Sequence, residues 1–247
     1  MSLVVAIKDQ DRIVLGSDKQ GTLGNVADHT CTKIWNVPEF EGAVMGGVGS
    51  ARASQIIQYT PIIDKNVVPA DITIDYIVCN VAPTLLATLE ANGIKCDGDD
   101  LGMKALPNCF IFAYKDKAWI IYQDLSVAEI TDYLAIGSGS EVARGALYAT
   151  ADKNVFERVV TAIDAAAEIT LYVDDDLDVL TTKTLKSDAK NLSKALGFDY
   201  NSLVEQLQGL TEEDKKEIKK EVEEDYNKEK TSSKKSKSRS KKEDKSE

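Results

Sequence analysis

Short apolar runs separated by turn-forming residues dominate the first half of the chain. Residues 3–7 and 13–15 are apolar runs on either side of the polar cluster 9–11, which predicts a β-hairpin. Two further pairs of runs flank short turns in the same way, namely 33–37 with 41–46 and 110–114 with 118–122. The pattern therefore predicts three antiparallel strand pairs, with a last strand at 177–182.

Helical periodicity follows these strands. Ser50 is placed to cap a first helix, and Asp71 a second one that Pro83 should kink or break. The expected helices cover residues 50–59, 72–91, 140–151 and 155–173. Strand sets that are each followed by helices predict an α+β layered sandwich.

The character of the chain changes after residue 183. Residues 184–230 combine leucines at helical spacing with alternating acids and lysines, which predicts a charged helical extension. Residues 231–247 carry lysines and serines with no apolar residue, which is typical of a disordered tail. We therefore expect one domain at 1–183, the helical extension at 184–230 and a disordered basic tail at 231–247.

Composition excludes several classes of function. The net charge of −11 argues against a general nucleic-acid binder, so nucleic acid is an unlikely partner. His29 is the single histidine, which excludes a multi-histidine zinc site and a histidine-based catalytic triad. The four cysteines lack a paired metal-type spacing, so we expect no metal and no cofactor. Apolar runs too short for a bilayer and the lack of a secretion-type N-terminus predict a cytoplasmic protein without a membrane span.

The first candidate catalytic residue is Ser2. A small residue after Met1 allows that methionine to be trimmed, which would leave a free α-amine and a hydroxyl on one residue. The amine can accept the hydroxyl proton, so the pair forms an activated nucleophile without a histidine. Because Met1 alone precedes Ser2, we expect maturation by methionine removal rather than cleavage of a long propeptide.

Further residues follow Ser2 in a recognisable order. Asp18 ends the second strand, Lys33 precedes an aliphatic-aromatic strand, and Gly47 lies in a glycine-rich turn that opens a helix. Ser138 lies between two glycines before a helix, and Glu168 lies near the end of the next helix. In this order and spacing, residues 2–183 resemble the proteasome β-subunit and HslV-type family of N-terminal-nucleophile (Ntn) hydrolases. The resemblance implies a four-layer αββα sandwich.

The resemblance also implies a role for each of these residues. Ser2 would be the nucleophile, Lys33 the neighbouring cation that depresses the pKa of the α-amine, and Asp18 the partner of Lys33. Gly47 would donate its N–H to the oxyanion, while Ser138 and Glu168 would support the amine. For Ser138 a helix cap is the alternative interpretation. The chain departs from the family pattern in having Ser2 in place of threonine and Glu168 in place of aspartate.

The function implied is that of a self-compartmentalising endopeptidase. Homo-oligomeric rings would enclose the sites and hydrolyse unfolded polypeptide. A closed chamber excludes folded substrates, and the chain has no phosphate-binding Gly-x-x-x-x-Gly-Lys motif, so an ATP-dependent unfoldase would be a separate partner. Two alternatives remain, a catalytically silent structural ring subunit and a small-molecule amidase.

Overall fold

The computed structural model describes residues 2–23, 26–63, 72–98 and 102–185, together with positions 188, 191, 192, 195 and 216. The chain divides into two compact units, Met1–Lys183 and Thr184–Glu247. The architecture below is that of the first unit. The expected charged helix falls outside the described residues except at the isolated positions, and the expected disordered tail lies wholly outside them.

Two antiparallel sheets form the centre of the first unit. One has the strand order β10-β1-β2-β11 and the other the order β5-β6-β7-β8-β9, while β3 and β4 form a separate two-stranded ribbon. The strands are β1 (Leu3–Asp9), β2 (Arg12–Asp18), β3 (Gly21–Leu23), β4 (Val26–Asp28), β5 (Ile34–Asn36), β6 (Ala43–Gly49), β7 (Asn108–Tyr114), β8 (Lys117–Ile121), β9 (Val127–Glu129), β10 (Tyr133–Gly137) and β11 (Leu177–Thr181).

Four helices cover the outer faces of the two sheets in the described part of the chain. They are α1 (Ala51–Tyr59), α2 (Ile74–Ala91), α3 (Ser140–Ala149) and α4 (Val155–Ile169). Val159 and Ile163 of α4 pack against Gly16 in β2, and α3 packs beside α4. Ile57 of α1 and Leu85 of α2 share a buried cluster with β6, β7 and β8. The layers therefore run helix, sheet, sheet, helix, which confirms the α+β, four-layer αββα prediction.

The strands of the first sheet are buried on both faces. Residues 3–7 are fully inaccessible, because one face meets the second sheet and the other meets the helices. Between the sheets, Val4 and Leu15 join a cluster with Val44, Ile111 and Ile120. Burial on both faces explains why the sequence shows continuous apolar runs here rather than strict alternation.

Helix α2 differs from the expectation at Pro83. The helix runs without interruption, but a π-helical turn, Ile77–Val81, lies directly before the α-helical segment Ala82–Ala91. Proline has no N–H to donate to the helical hydrogen-bond ladder. The π-turn before Pro83 accommodates this missing hydrogen bond, so the helix continues instead of breaking. By length and composition α2 could also cross a membrane, contrary to the expectation from sequence. Its buried residues, among them Leu85 and Leu89, instead pack in the core of the unit.

All three predicted hairpins are confirmed, and Ser50 caps α1 by accepting the N–H of Ala53. The sequence interpretation missed β3, β4, β9 and β10. Three of these strands have only three residues, which is too short for a periodic signal, and β10 leads straight into the Gly-Ser-Gly turn. The fourth helix ends at Ile169, earlier than expected, because Thr170 adopts an extended conformation at its C-terminus.

Two glycine substitutions should change stability in opposite directions. A Cβ at Gly16 would overlap with Val159 Cγ1 of α4, so Gly16→Ala is expected to lower the free energy of unfolding by about 1–3 kcal/mol. Gly145 lies in α3 with open space where its Cβ would be, so Gly145→Ala should raise it by about 0.5–1 kcal/mol. Chemical denaturation measures both. A neutral Gly16→Ala would contradict the tight packing of α4 on β2.

Candidate functional site

A buried ion pair joins the end of β2 to the segment before β5. Lys33 Nζ lies 2.6 Å from Asp18 Oδ1 and also donates to the carbonyl of Gln20 at 2.7 Å. Both side chains are almost wholly inaccessible. Burial lowers the pKa of Lys33 and raises the pKa of Asp18, and the contact between the two opposes both shifts. The predicted partnership of Asp18 with Lys33 is therefore present in the fold.

Asp18 also fixes the start of β1. Its Oδ1 accepts the N–H of Leu3 at 2.7 Å, and its Oδ2 accepts the N–H of Gln20 at 3.2 Å. Because Leu3 follows Ser2 directly, the carboxylate that holds Lys33 also holds the backbone beside the candidate nucleophile. A residue that can only accept hydrogen bonds when ionised suits this convergence of donors.

Ser138 holds Ser2 from the opposite side. The Ser138 N–H donates to the Ser2 carbonyl at 2.7 Å, and Leu3 pairs with Gly137 in the sheet. Gly137 has φ +99°, and a Cβ there would overlap with the Ser2 carbonyl, so the position needs glycine. The helix-cap alternative for Ser138 is wrong, because Gly139 is the N-cap of α3.

Gly47 lies close to Lys33 in the sheet. Its N–H, the predicted oxyanion donor, donates to the Lys33 carbonyl at 2.9 Å. The donor is thus already paired, and it can reach a substrate only if this bond opens or becomes shared. A Cβ at Gly47 would lie 2.9 Å from the Phe110 ring and 3.0 Å from Ser54 Oγ, so packing alone also favours glycine here.

One cavity of about 340 Å³ brings Ser2, Lys33 and Gly47 together. Its size is within the range of ligand pockets. The remaining lining comes from the β3–β4 ribbon, the segment after it, the end of β6 and α1, namely Gly21, Thr22, Asp28, Thr30, Cys31, Thr32, Gly49, Ala51, Ser54, Gln55, Gln58 and Tyr59. The lining is mostly polar, and an extended peptide could enter it with its reacting carbonyl near Ser2.

Glu168 lies apart from this cavity. It is exposed on α4 and lines a second cavity of about 370 Å³ with Asp164, Asp174 and Asp175. Among the described residues, no hydrogen bond or ion pair joins Glu168 to Ser2 or Ser138. The structure does not bring Glu168 together with the other five predicted residues, so the described contacts give its predicted role no support. Within the described ranges, no group of three or more His, Cys, Asp and Glu side chains could hold a metal ion.

Asp174 is a carboxylate near the site that the sequence interpretation missed. Its Oδ1 accepts the N–H of Lys19 at 3.0 Å, and its Oδ2 lies 2.5 Å from His29 Nδ1. The charge of Asp174 helps to raise the pKa of Lys33 against the effect of burial. The acidic run 174–176 is visible in the sequence. It lies far along the chain from Lys19 and His29, so the sequence alone does not indicate that these residues meet.

The contact of His29 with Asp174 predicts a pH-dependent contribution to stability. The hydrogen bond to Asp174, aided by the charges of Asp174, Asp28 and Asp176, raises the pKa of His29 against the opposing effect of desolvation. A raised pKa means that the contribution is complete below the unfolded value of about 6.5 and is lost as the pH rises through the folded value. His29→Asn should therefore lower the unfolding temperature at pH 6 by a small amount, and by less at pH 9.

Lys95→Ala is a matched control for this measurement. Lys95 pairs with Asp97 on the surface at 3.1 Å, and this pair contains no imidazole. Its effect on the unfolding temperature should be the same at both pH values. An equal effect of His29→Asn at pH 6 and pH 9 would show that the contact does not depend on the charge of the imidazole.

No family model and no curated protein sequence matches the chain. Among solved structures, BPH of Thiobacillus denitrificans in complex with epoxomicin is 21% identical with a TM-score of 0.61, covering 72% of this chain and 97% of that chain. A second structure, of Thiobacillus denitrificans BPH, is 22% identical with a TM-score of 0.60, covering 72% of this chain and 96% of that chain.

A third similar structure is the eukaryotic HslV of Trypanosoma brucei. It is 18% identical, has a TM-score of 0.50, and the match covers 72% of this chain and 98% of that chain. At these identities the similarity shows the fold, and it leaves the chemistry of the site to be argued from this chain's own residues. The chain therefore has the proteasome-like Ntn-hydrolase fold of the BPH and HslV structures.

Proposed function

We propose that the chain is a subunit of a proteasome-like Ntn endopeptidase that cleaves unfolded polypeptide. The observation that carries the proposal is the cavity in which Ser2 lies with Lys33 and Gly47, with Lys33 held by the buried carboxylate of Asp18. A buried lysine, fixed beside the first residue of a strand, is the environment in which an α-amine is kept neutral as a base.

The proposed reaction follows from these positions once Met1 is removed. The α-amine of Ser2 takes the Oγ proton while Oγ attacks the peptide carbonyl carbon, and the oxyanion is stabilised by a backbone N–H near Gly47. Collapse of the tetrahedral intermediate passes that proton to the leaving amine and leaves an ester on Ser2. Water then attacks the ester, with the α-amine again as the base, and releases the second peptide.

A catalytically silent ring subunit remains the second candidate. Two observations favour it, the engagement of the Gly47 N–H with the Lys33 carbonyl and the separation of Glu168 from Ser2. The pair of Asp18 and Lys33 favours the enzyme. Burying two charges costs desolvation free energy that a purely structural contact between apolar side chains would not require.

Assembly into homo-oligomeric rings is part of the proposal. Large apolar side chains are exposed on α3, at the end of α4 and just after it, namely Tyr148 at 77%, Ile169 at 69% and Leu171 at 87%. Such exposure is typical of surfaces that meet another chain. Rings would enclose the cavities, and a separate ATP-dependent unfoldase in the cytoplasm would supply unfolded polypeptide to them.

Sedimentation and hydrolysis measured on the same fractions test this proposal. We expect the protein at micromolar concentration to sediment as a ring-sized species, and the hydrolysis of denatured casein to follow that species. A stable monomer that hydrolyses only small amides would contradict the chambered peptidase and favour the small-molecule amidase. A ring without hydrolysis would favour the silent subunit.

A further inference from the structure

A buried serine lines the cavity at the base of α1. Ser54 is 7% exposed, and its Oγ accepts a hydrogen bond from Asn108 Nδ2 at 2.9 Å. Asn108 is fully buried at the start of β7. Its Nδ2 also donates to the Ser50 carbonyl at 3.1 Å, and its Oδ1 accepts the Ser50 N–H at 2.9 Å. These contacts fix the amide of Asn108, so Ser54 can only accept from it.

The hydroxyl hydrogen of Ser54 is therefore left to donate elsewhere. Among the described residues, Ser54 Oγ makes no other hydrogen bond. The oxygen faces Gly47, since a Cβ on that glycine would lie 3.0 Å from it. Ser54 and Gly47 both line the cavity that Ser2 and Lys33 line. A buried donor facing a cavity favours a ligand that accepts a hydrogen bond.

The charges around the cavity limit which ligand group can accept a hydrogen bond from the Ser54 hydroxyl. Lys33 is held by the Asp18 carboxylate and the Gln20 carbonyl, which together occupy two of its three N–H donors. Asp28 lines the cavity and accepts the N–H and the Oγ1 hydrogen of Thr30, which lowers its pKa and keeps it ionised. This carboxylate repels an acidic substrate group. A cationic group is not repelled, but it has no lone pair for the Ser54 hydroxyl.

We propose that Ser54, oriented by Asn108, makes the cavity selective for a carboxamide side chain, that of glutamine or asparagine, next to the bond that is cleaved. This inference rests on the proposed peptidase function. An uncharged amide accepts the Ser54 hydrogen with its oxygen, and its NH₂ group can donate to the polar lining. An aliphatic side chain of the same length leaves the buried Ser54 donor unpaired, and discrimination then follows from the unmade hydrogen bond.

Fluorogenic peptides that differ only at the residue before the scissile bond test the selectivity. With glutamine, leucine, lysine and glutamate at that position, we expect kcat/KM to be about tenfold higher for glutamine than for leucine. Ser54→Ala should bring this ratio close to one by lowering the glutamine value alone. Ser17→Ala is the matched control, because it removes another buried hydroxyl, from β2 outside the cavity, and should keep the ratio. A wild-type preference for leucine, or an unchanged ratio in Ser54→Ala, would overturn the proposal.

A binding measurement separates this inference from the proposed function. The ligands for calorimetry are uncleavable analogues of the glutamine and leucine peptides. The glutamine analogue should bind about tenfold more tightly than the leucine analogue, and Ser54→Ala should abolish the difference. That result without any hydrolysis would refute the peptidase and leave the selectivity of the cavity standing. Hydrolysis without selectivity would refute the role of Ser54 alone. Equal binding, or no binding of either peptide, would also overturn the role of Ser54.

Discussion

Ser2→Ala is expected to lower the rate of peptide hydrolysis by at least about a thousandfold, because it removes the attacking oxygen. The contacts that position Ser2 are made by the backbone, through the Ser138 N–H to its carbonyl and the Leu3 N–H to Asp18. Alanine preserves them, so the unfolding temperature should not change. Steady-state hydrolysis of a fluorogenic peptide measures the effect.

Ser2→Thr is the matched variant, since it keeps the hydroxyl. Threonine restricts χ1 through its β-branch, which holds Oγ in fewer orientations than serine does. We expect Ser2→Thr to retain the hydrolysis or to raise it. Unchanged hydrolysis in Ser2→Ala would contradict the assignment of Ser2 as the nucleophile.

Lys33→Met should have the second large effect, and it should act on stability as well as on hydrolysis. It leaves the fully buried Asp18 carboxylate without its partner at 2.6 Å. Removing one member of a buried ion pair costs about 3–5 kcal/mol of folding free energy. Hydrolysis should also be lost, because no cation then lowers the pKa of the neighbouring α-amine.

The double variant Asp18→Asn/Lys33→Met separates these two effects. It removes both charges, so no unpaired ion is left in the core, and asparagine can still accept the Leu3 N–H with its oxygen. We expect the double variant to recover part of the lost stability in chemical denaturation while hydrolysis remains absent. Recovery of hydrolysis together with stability would show that Lys33 acts only through the fold.

The sequence predicted those parts of the site that depend on local patterns. Asp18 ends a clear strand and Lys33 directly precedes another, so the element order alone indicated their places. The layered arrangement followed from the three hairpins and the helices after them. Ser2 was predicted because removal of Met1 would place a hydroxyl and an α-amine on one residue, which is a property of that residue and needs no partner.

The remaining contacts of the site could not be predicted because they join segments that are far apart in the chain. Asp174 reaches His29 and Lys19, and Asn108 reaches Ser54, only because sheet packing brings loops and strand ends together. The pairing of the Gly47 N–H with the Lys33 carbonyl depends on the register of β5 against β6. Serine occurs in structural and in functional positions alike. The sequence alone therefore does not indicate that Ser54 lines a cavity.

Ser2, with its own free α-amine, is the proposed nucleophile. Reaction with epoxomicin, followed by intact mass measurement and peptide mapping, tests this assignment most directly. We expect protein that lacks Met1 and carries one epoxomicin molecule on Ser2, with no adduct in Ser2→Ala. Active protein that retains Met1, or an adduct on another residue, would contradict it.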